Sequence, residues 1–228
     1  MKISANIATQ PSRVDSLLTC LSSIIDQFHV INIYLNDFES IPKELRFNPK
    51  INIVIGADLA DNAKFYFTKY HNDGDIYFTI DDDIIYPSDY VSKTLLNLAK
   101  YPGSVITYHG RALTQKECSY YHNHRQFYFD RPQSGDFEID VAGTGVSAFM
   151  IRGNKFQNIH NSPHKRMSDL VFSYEMAIKG IRIMCCAHDH LWLKPIPNDS
   201  TILKSFLNEP TPLQDYLADL IYDKRNEP

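Results

Sequence analysis

Apolar residues along the chain occur in two patterns, short continuous runs and helical spacing. The short runs are residues 2–8, 30–35, 51–55, 76–80 and 104–108. They are rich in Ile, Val and aromatic residues, and their length is typical of strands buried on both faces. We expect each of them to be a β-strand.

The segments between these runs carry apolar residues three and four positions apart, which predicts helices. Ser12 is expected to cap the first helix, and Ser88 a later one that stops at Pro102-Gly103. A further helical segment is expected from about Asp61 to Tyr70. The order β-α-β-β-α-β-α-β predicts an α/β fold, with a mostly parallel central sheet covered by helices.

The alternation breaks down from Leu113 to Glu138, which is aromatic and polar without a clear period. A functional loop and a loop that packs over the sheet are equally supported. Residues 139–151 then predict one strand, interrupted by Gly143-Thr-Gly145. Its small residues permit close backbone approach, and we favour packing over a phosphate loop because the phosphate-binding fingerprints are absent.

Ser168 is expected to cap a helix that ends at Gly180, followed by a strand over residues 181–187. Asp169 lies in the first turn of this helix, where compensation of the helix dipole is the more common role of an acid. His188 and His190 follow the strand, and one of them could be a metal ligand or part of a polar surface cluster.

A final amphipathic helix is expected over residues 211–223. Its apolar stripe leaves three partners open: the domain itself, a membrane surface, or a second copy of the chain. Core packing is the default interpretation. The preceding residues 195–201 are expected to form a flexible lid.

Composition narrows the class of protein. With 228 residues, 43% of them hydrophobic, the chain is long enough for one domain with a sizeable core. The net charge of -4 argues against a nucleic-acid partner. Because no membrane-length apolar run or signal-peptide core occurs, we expect a cytoplasmic protein. The four cysteines lack metal or redox spacing, and we expect Cys20 and Cys185 in the core.

Three consecutive carboxylates, Asp81-Asp82-Asp83, follow the fourth run. So many negative charges in one turn require a cation or a hydroxyl-rich ligand. Asn36, Asp37 and Asp58 follow neighbouring strands, and the carboxyl ends of parallel strands lie on one edge of a sheet. The sequence therefore predicts a ligand site at that edge.

The chain resembles the GT-A nucleotide-sugar glycosyltransferases, especially bacterial family 2, over residues 2–195. The resemblance rests on the triple Asp and on several short segments that occur along the chain in the same order as in the family. These segments are Ile7-Ala-Thr-Gln-Pro-Ser-Arg13, Tyr34-Leu-Asn-Asp37, Asp61-Asn-Ala-Lys64, Thr79-Ile-Asp-Asp-Asp83, Gly143-Thr-Gly145, Ser168-Asp-Leu-Val-Phe-Ser173 and Lys179-Gly-Ile181, the last leading into a strand. It implies a single GT-A domain over residues 1–205, with nucleotide-binding (1–110) and acceptor-binding (111–205) parts, and a C-terminal helix and tail (206–228).

The same resemblance implies the roles of individual residues. Asp83 would bind a divalent metal ion, Mn²⁺ or Mg²⁺, with Asp82 and His188 as further candidate ligands. The residues expected at the nucleotide are Thr9, Arg13, Asn36, Asp37, Lys64, Asp81 and Asp82. Asp169 would be the catalytic base that removes a proton from the acceptor hydroxyl, although Ser168 stands where the family more often has an acid.

The resemblance thus implies a metal-dependent hexosyltransferase that moves a sugar, with inversion, from a UDP-sugar to a saccharide or glycan acceptor in polysaccharide biosynthesis. Two alternatives remain. A sugar nucleotidyltransferase has a related fold, but this chain lacks the Gly-rich basic N-terminal loop that holds a nucleoside triphosphate. A non-catalytic saccharide-binding domain would not need both the triple Asp and Asp169.

Overall fold

A computed structural model describes residues 1–46, 48–116, 119–122, 124–197 and 212–227. The strands are β1 (Ile3–Thr9), β2 (Val30–Asn36), β3 (Ile51–Gly56), β4 (Ile76–Ile80), β5 (Ile84–Ile85), β6 (Val105–Thr107), β7 (Gly110–Ala112), β8 (Arg125–Phe127), β9 (Phe137–Ile139), β10 (Val141–Ala142), β11 (Val146–Met150), β12 (Ile183–Cys185) and β13 (Lys194–Pro195). The α-helices are α1 (Val14–Ile24), α2 (Tyr90–Lys100), α3 (Ser168–Ile178) and α4 (Pro212–Asn226). The 3₁₀ helices are Pro11–Arg13, Lys43–Leu45, Ala60–Tyr70 and Ile159–Asn161.

The central sheet has the strand order β3-β2-β1-β4-β11-β6-β12-β9. β1 pairs in parallel with β2 and β4, β2 with β3, and β6 with β12. β11 runs antiparallel to β4 and β6, and β9 runs antiparallel to β12. The predicted α/β fold with a mostly parallel sheet is confirmed, because only β11 and β9 among these strands oppose the common direction.

A ladder of amides crosses the first strands of the sheet. Asn6, Asn32 and Asn52 lie opposite one another on β1, β2 and β3. Asn32 donates to Asn6 at 2.7 Å, Asn52 donates to Asn32 at 3.1 Å, and Asn6 donates to the Phe78 carbonyl at 3.0 Å. These hydrogen bonds satisfy the buried amides of Asn6 and Asn32 and link the four strands β3, β2, β1 and β4.

The single strand predicted for residues 139–151 is wrong. Its residues belong to β9 and β11 in the central sheet and to β10 in a separate sheet of order β10-β7-β8. The chain changes sheets at Gly143-Thr-Gly145, and apolar residues on both sides of this break hid it from the pattern. Strand β8 also lies within residues 113–138, the segment in which the sequence shows no regular spacing of apolar residues.

The three predicted serine caps are wrong. Ser12 lies in a 3₁₀ turn, Ser88 precedes the Asp89 cap position, and Ser168 is the first residue of α3 rather than its cap. None of the helices that follow has a side-chain cap hydrogen bond. The segment predicted as helical from Asp61 is a 3₁₀ helix.

Helix α4 packs against the domain. Leu217, Ala218 and Ile221 are buried in a cluster with Leu170 and Ala177 of α3. Core packing therefore accounts for its apolar stripe, and among the described residues no helix is both long and apolar enough to cross a membrane. The expected boundary at residues 205/206 lies outside the described residues.

The cysteine prediction is confirmed for the described residues. Cys20 and Cys185 are buried and unoxidised, as is Cys186. Cys118 lies outside the described residues.

Candidate functional site

A cavity of about 900 Å³ opens beyond the carboxyl ends of β1, β2 and β4. The structure brings most of the predicted site residues to its wall. They are Thr9, Arg13, Asn36, Lys64, Asp81, Asp82, Asp83 and Asp169. The volume is in the range of small-molecule and cofactor sites.

The three aspartates make different ion pairs. Arg13 contacts Asp82 at 2.7 Å and Asp83 at 2.5 Å, and Lys64 pairs with Asp81. Asp82 also accepts a hydrogen bond of 2.6 Å from the Thr9 hydroxyl. Asp82 is therefore the most enclosed member, whereas Asp83 and Asp81 retain exposed side-chain fractions of 26% and 39%.

Burial and neighbouring charges give the three aspartates different pKa values. Burial raises the pKa of Asp82 to about 7 against the opposing charge of Arg13. Burial and the nearby charge of Asp81 also raise the pKa of Asp83. For Asp81 the effect of burial is outweighed by the ammonium group of Lys64, and its pKa is lowered.

Lys64 is almost completely buried, with 3% of its side chain exposed. Burial by itself would favour the neutral amine, but the carboxylates of Asp81 and Asp61 outweigh it and raise the pKa of Lys64. This lysine is therefore a fixed cation that lies within reach of two acids.

Asp169 lies at the start of α3, and its Oδ1 accepts hydrogen bonds from the Thr144 amide at 2.7 Å and the Thr144 hydroxyl at 2.6 Å. The Thr144 hydroxyl lies 2.7 Å from that of Ser168. The Ser168 hydroxyl lies 2.6 Å from Oδ2 of Asp61. A second acid, 107 residues before Ser168 in the chain, thus joins the network of Asp169.

This chain of four oxygen atoms has three contacts but only two hydroxyl protons. Either hydroxyl can donate at the central contact. Burial raises the pKa of both Asp61 and Asp169. The two hydroxyl groups therefore link two acids whose charged forms are both disfavoured by burial.

Gly145 closes tightly on the triple Asp. A Cβ atom at this position would overlap the carboxyl group of Asp81 and would lie 3.0 Å from its Cβ. Tyr86 fixes the same turn, because its hydroxyl donates to the Gly145 carbonyl at 2.6 Å and accepts from the Asp81 amide at 3.0 Å. The close backbone approach predicted for Gly143-Thr-Gly145 is therefore the contact between Gly145 and Asp81 of the triple Asp.

Gly145→Ala is expected to destabilise the fold by about 1–3 kcal/mol, because Asp81 must leave Lys64 to admit the methyl group. Gly135→Ala is the control, since its new Cβ would meet only the Phe137 ring at ordinary distances of 3.6 and 3.9 Å. Urea unfolding of both variants measures the effect. Equal stability of the two variants would show that the Gly145 contact is unimportant.

The remaining wall comes from residues that the sequence did not identify. Arg111 on β7, Tyr120, Tyr121 and His109 line it, together with Gln214 on α4. Only the aromatic character of residues 113–138 signalled such a wall. Burial lowers the pKa of His109 to about 4, with the Arg111 charge acting in the same direction, so this imidazole is neutral at pH 7.

Two predicted site residues lie outside the cavity wall. Asp37 accepts a hydrogen bond of 3.0 Å from the Asp58 amide and has a positive φ of 54°. His188 is buried against Tyr108 and Trp192, and its ring nitrogens face backbone carbonyl oxygens at 3.0 and 3.3 Å. His190 is exposed.

The segment expected as a lid is described only in part. Pro195 lines the cavity and pairs with Ile84, and the Ile196 amide donates to the Asp83 carbonyl at 2.7 Å. Residues 198–201 lie outside the described residues.

The fit to a divalent metal ion follows from charge and ligand type. Three carboxylates in the turn face two paired cations, Arg13 and Lys64, so the turn carries one net negative charge when all three acids are ionised. Oxygen ligands of this kind suit Mg²⁺ or Mn²⁺. In the described part of the chain no group of three or more His, Cys, Asp or Glu residues could hold a metal ion. A metal ion at this turn would therefore need further ligands from a bound molecule.

Comparison with solved structures identifies the fold. Staphylococcus aureus TarS 1-349 in complex with UDP-GlcNAc matches with a TM-score of 0.59 and 8% identity, over 90% of this chain and 61% of that one. GalNAc-T7 with UDP, GalNAc and Mn²⁺ matches with a TM-score of 0.57 and 11% identity, over 90% of this chain and 47% of that one. A further S. aureus TarS 1-349 structure matches with a TM-score of 0.54 and 10% identity, over 98% of this chain and 71% of that one.

These neighbours are glycosyltransferases, and the chain has their GT-A fold, so the predicted resemblance is confirmed at the level of fold. This chain spans about 61% and 47% of the first two neighbours. No family model and no curated protein sequence matches it.

Proposed function

We propose that this protein is a metal-dependent glycosyltransferase that moves a sugar from a UDP-sugar to a saccharide acceptor with inversion. One observation carries the proposal: a single cavity of a GT-A fold contains the triple Asp and, on another element, the half-buried carboxylate of Asp169. The neighbours crystallised with UDP-GlcNAc or with UDP and Mn²⁺ support the donor class.

The nucleotide is bound by the residues at the strand ends. Arg13 and Lys64 hold the carboxylates of the turn in place, and Thr9 fixes the buried Asp82. Asn36 is already engaged by the Leu59 amide and by the carbonyls of Thr9 and Ala60. Its role is to shape the nucleotide pocket.

Asp83, the most accessible carboxylate among those paired with Arg13, is the metal ligand, with Asp82 as a further oxygen donor. Bound Mn²⁺ or Mg²⁺ would neutralise charge on the diphosphate. His188 enters this role only if its ring leaves the carbonyl groups that it contacts in the structure.

Asp169 is the general base. Its Oδ1 is fixed by Thr144, so the carboxylate is oriented before the acceptor arrives. It removes the proton of the acceptor hydroxyl as that oxygen attacks the anomeric carbon, and the bond from this carbon to the nucleoside diphosphate breaks.

Product analysis with a panel of UDP-sugars, Mn²⁺ and saccharide acceptors tests the proposal. Release of UDP together with a glycosylated acceptor supports transfer, and the anomeric configuration of the product tests inversion. Pyrophosphate formation from a sugar phosphate and UTP would identify a nucleotidyltransferase instead. UDP-sugar binding without turnover of any acceptor would favour a non-catalytic domain.

Transfer is expected to decline on the acidic side at a higher pH than is usual for an aspartate base. Burial raises the pKa of Asp169, and the hydrogen bonds from Thr144 oppose that shift. As pH falls through this raised pKa, the base takes up a proton and cannot accept one from the substrate. The profile of kcat/KM against pH measures the position of this limb.

Thr144→Val is expected to move the acidic limb to still higher pH, because it removes the hydroxyl that stabilises the Asp169 carboxylate. Thr144→Ser keeps that donor and serves as the control. An acidic limb at the same pH in the Val variant would show that Thr144 does not set the pKa of the base.

A further inference from the structure

An arginine on the cavity wall has no acidic partner. The guanidinium carbon of Arg111 lies 4.2 Å from the ring centroid of Tyr120 and 5.2 Å from that of Tyr121. Within the described residues Arg111 forms no ion pair, and its buried Nε atom has no hydrogen-bond partner. The two tyrosine rings hold the cation in position without neutralising it.

This cation differs from the others that line the cavity. Arg13 and Lys64 are neutralised by the triple Asp, and Arg166 is exposed to solvent. An arginine does not lose its proton when it is buried, so its charge must be balanced by an anion or by water. Arg111 is therefore the partly enclosed cation of this wall that is available to a ligand.

The position of Arg111 indicates which ligand would supply the balancing anion: the acceptor, which binds near Asp169, and not the donor. Tyr120, whose ring lies under the Arg111 guanidinium, belongs to the same buried cluster as Leu170, the residue that follows Asp169 on α3. The ring that holds Arg111 is thus packed with the helix that carries the proposed base. The arginine is paired with none of the three aspartates of the metal turn.

Gln214 of α4 adds a hydroxyl-binding group to the same wall. Only 2% of this residue is exposed, and its side-chain nitrogen donates to the Tyr121 hydroxyl at 3.0 Å. Its buried Oε1 atom has no hydrogen-bond partner in the described part of the chain. An unpartnered acceptor inside a cavity is suited to a ligand hydroxyl.

We propose that the acceptor is an anionic saccharide whose carboxylate or phosphate group is bound by Arg111, while Gln214 accepts a hydrogen bond from one of its hydroxyl groups. The proposal rests on the proposed function of the cavity and adds the chemical class of the acceptor. The planar guanidinium fork matches either anion, so the shared feature is an anionic oxygen group on a sugar.

Ligand-observed NMR titrations without metal can test this proposal by comparing matched pairs of sugars. One pair is 4-nitrophenyl β-glucuronide and 4-nitrophenyl β-glucoside, and the other is glucose 6-phosphate and glucose. We expect the anionic member of at least one pair to bind roughly 10- to 100-fold more tightly, as a charge-assisted hydrogen bond provides. Which pair shows the difference distinguishes carboxylate from phosphate.

Arg111→Gln is expected to abolish the preference for the anionic member, and Arg111→Lys to retain part of it and so show that the charge matters. Arg125→Gln is the matched control, because Arg125 is also stacked on aromatic rings, those of Phe127 and Phe137, but lies outside the cavity. It should retain the full preference.

Equal binding of charged and neutral sugars by the wild-type protein would overturn the proposal, as would an unchanged preference in Arg111→Gln. A loss of UDP affinity in Arg111→Gln comparable to its loss of anionic sugar would place Arg111 at the donor instead. The sugar titrations need no turnover, so failure of UDP binding or transfer would count against the proposed function separately.

Discussion

Asp169→Asn is expected to slow sugar transfer by roughly 10²- to 10⁴-fold and to leave UDP affinity unchanged, since a positioned base contributes a factor of that size. The amide keeps the Oδ1 atom that accepts both hydrogen bonds from Thr144, so α3 and the glycine segment should stay in place. Only the ability to take up the acceptor proton is removed.

Steady-state transfer and calorimetric titration with UDP, both with Mn²⁺ present, measure the two effects of Asp169→Asn separately. Glu175→Gln provides the control on the same helix, because Glu175 pairs with Lys179 and does not line the cavity. Transfer at the wild-type rate by Asp169→Asn would exclude Asp169 as the base.

Asp83→Ala is expected to abolish the metal dependence of nucleotide binding. In the wild-type protein Mn²⁺ should strengthen UDP binding, because an ion held by the carboxylate turn would offset the negative charge of the diphosphate. Loss of a direct ligand should reduce that gain by more than about 100-fold, beyond the usual effect of changing a group that only orients a ligand. Calorimetry with UDP in the presence and absence of Mn²⁺ measures the gain.

Two further variants make the Asp83 result specific. Asp83→Asn keeps the shape of the side chain. If this variant also loses the Mn²⁺ dependence of UDP binding, the negative charge of Asp83 is required. Asp89→Asn removes a nearby charge outside the cavity, at a residue that accepts a hydrogen bond from Trp192 at 2.8 Å. If UDP binding by Asp83→Ala still depended on Mn²⁺, the metal assignment would be wrong.

The sequence predicted the edge of the sheet well because parallel strands impose a simple rule. Thr9, Asn36 and Asp81 end or follow three strands that pair in parallel, and their carboxyl ends therefore lie together. No knowledge of side-chain packing was needed. The resemblance placed His188 at the metal ion, but in the structure its ring is turned inward between Tyr108 and Trp192.

The other wall of the cavity could not be predicted in this way. Arg111 is placed by pairing between β7 and β8, and Gln214 by packing of α4 on α3, with a hydrogen bond to Tyr121 from 93 residues away. Contacts over such separations leave no periodic signal in the chain. Composition indicated aromatic residues between 113 and 138, but not which of them meet a ligand.

Local sequence determined the alternating elements, the charge density of Asp81-Asp82-Asp83 and the edge on which they lie, because periodicity and strand direction act over short distances. Only the tertiary structure decided how the three acids differ. Packing placed Arg13 against Asp82 and Asp83, Lys64 against Asp81, and Asp61 in the network of Asp169. Burial and pairing set the pKa of each acid, and both depend on the entire folded chain.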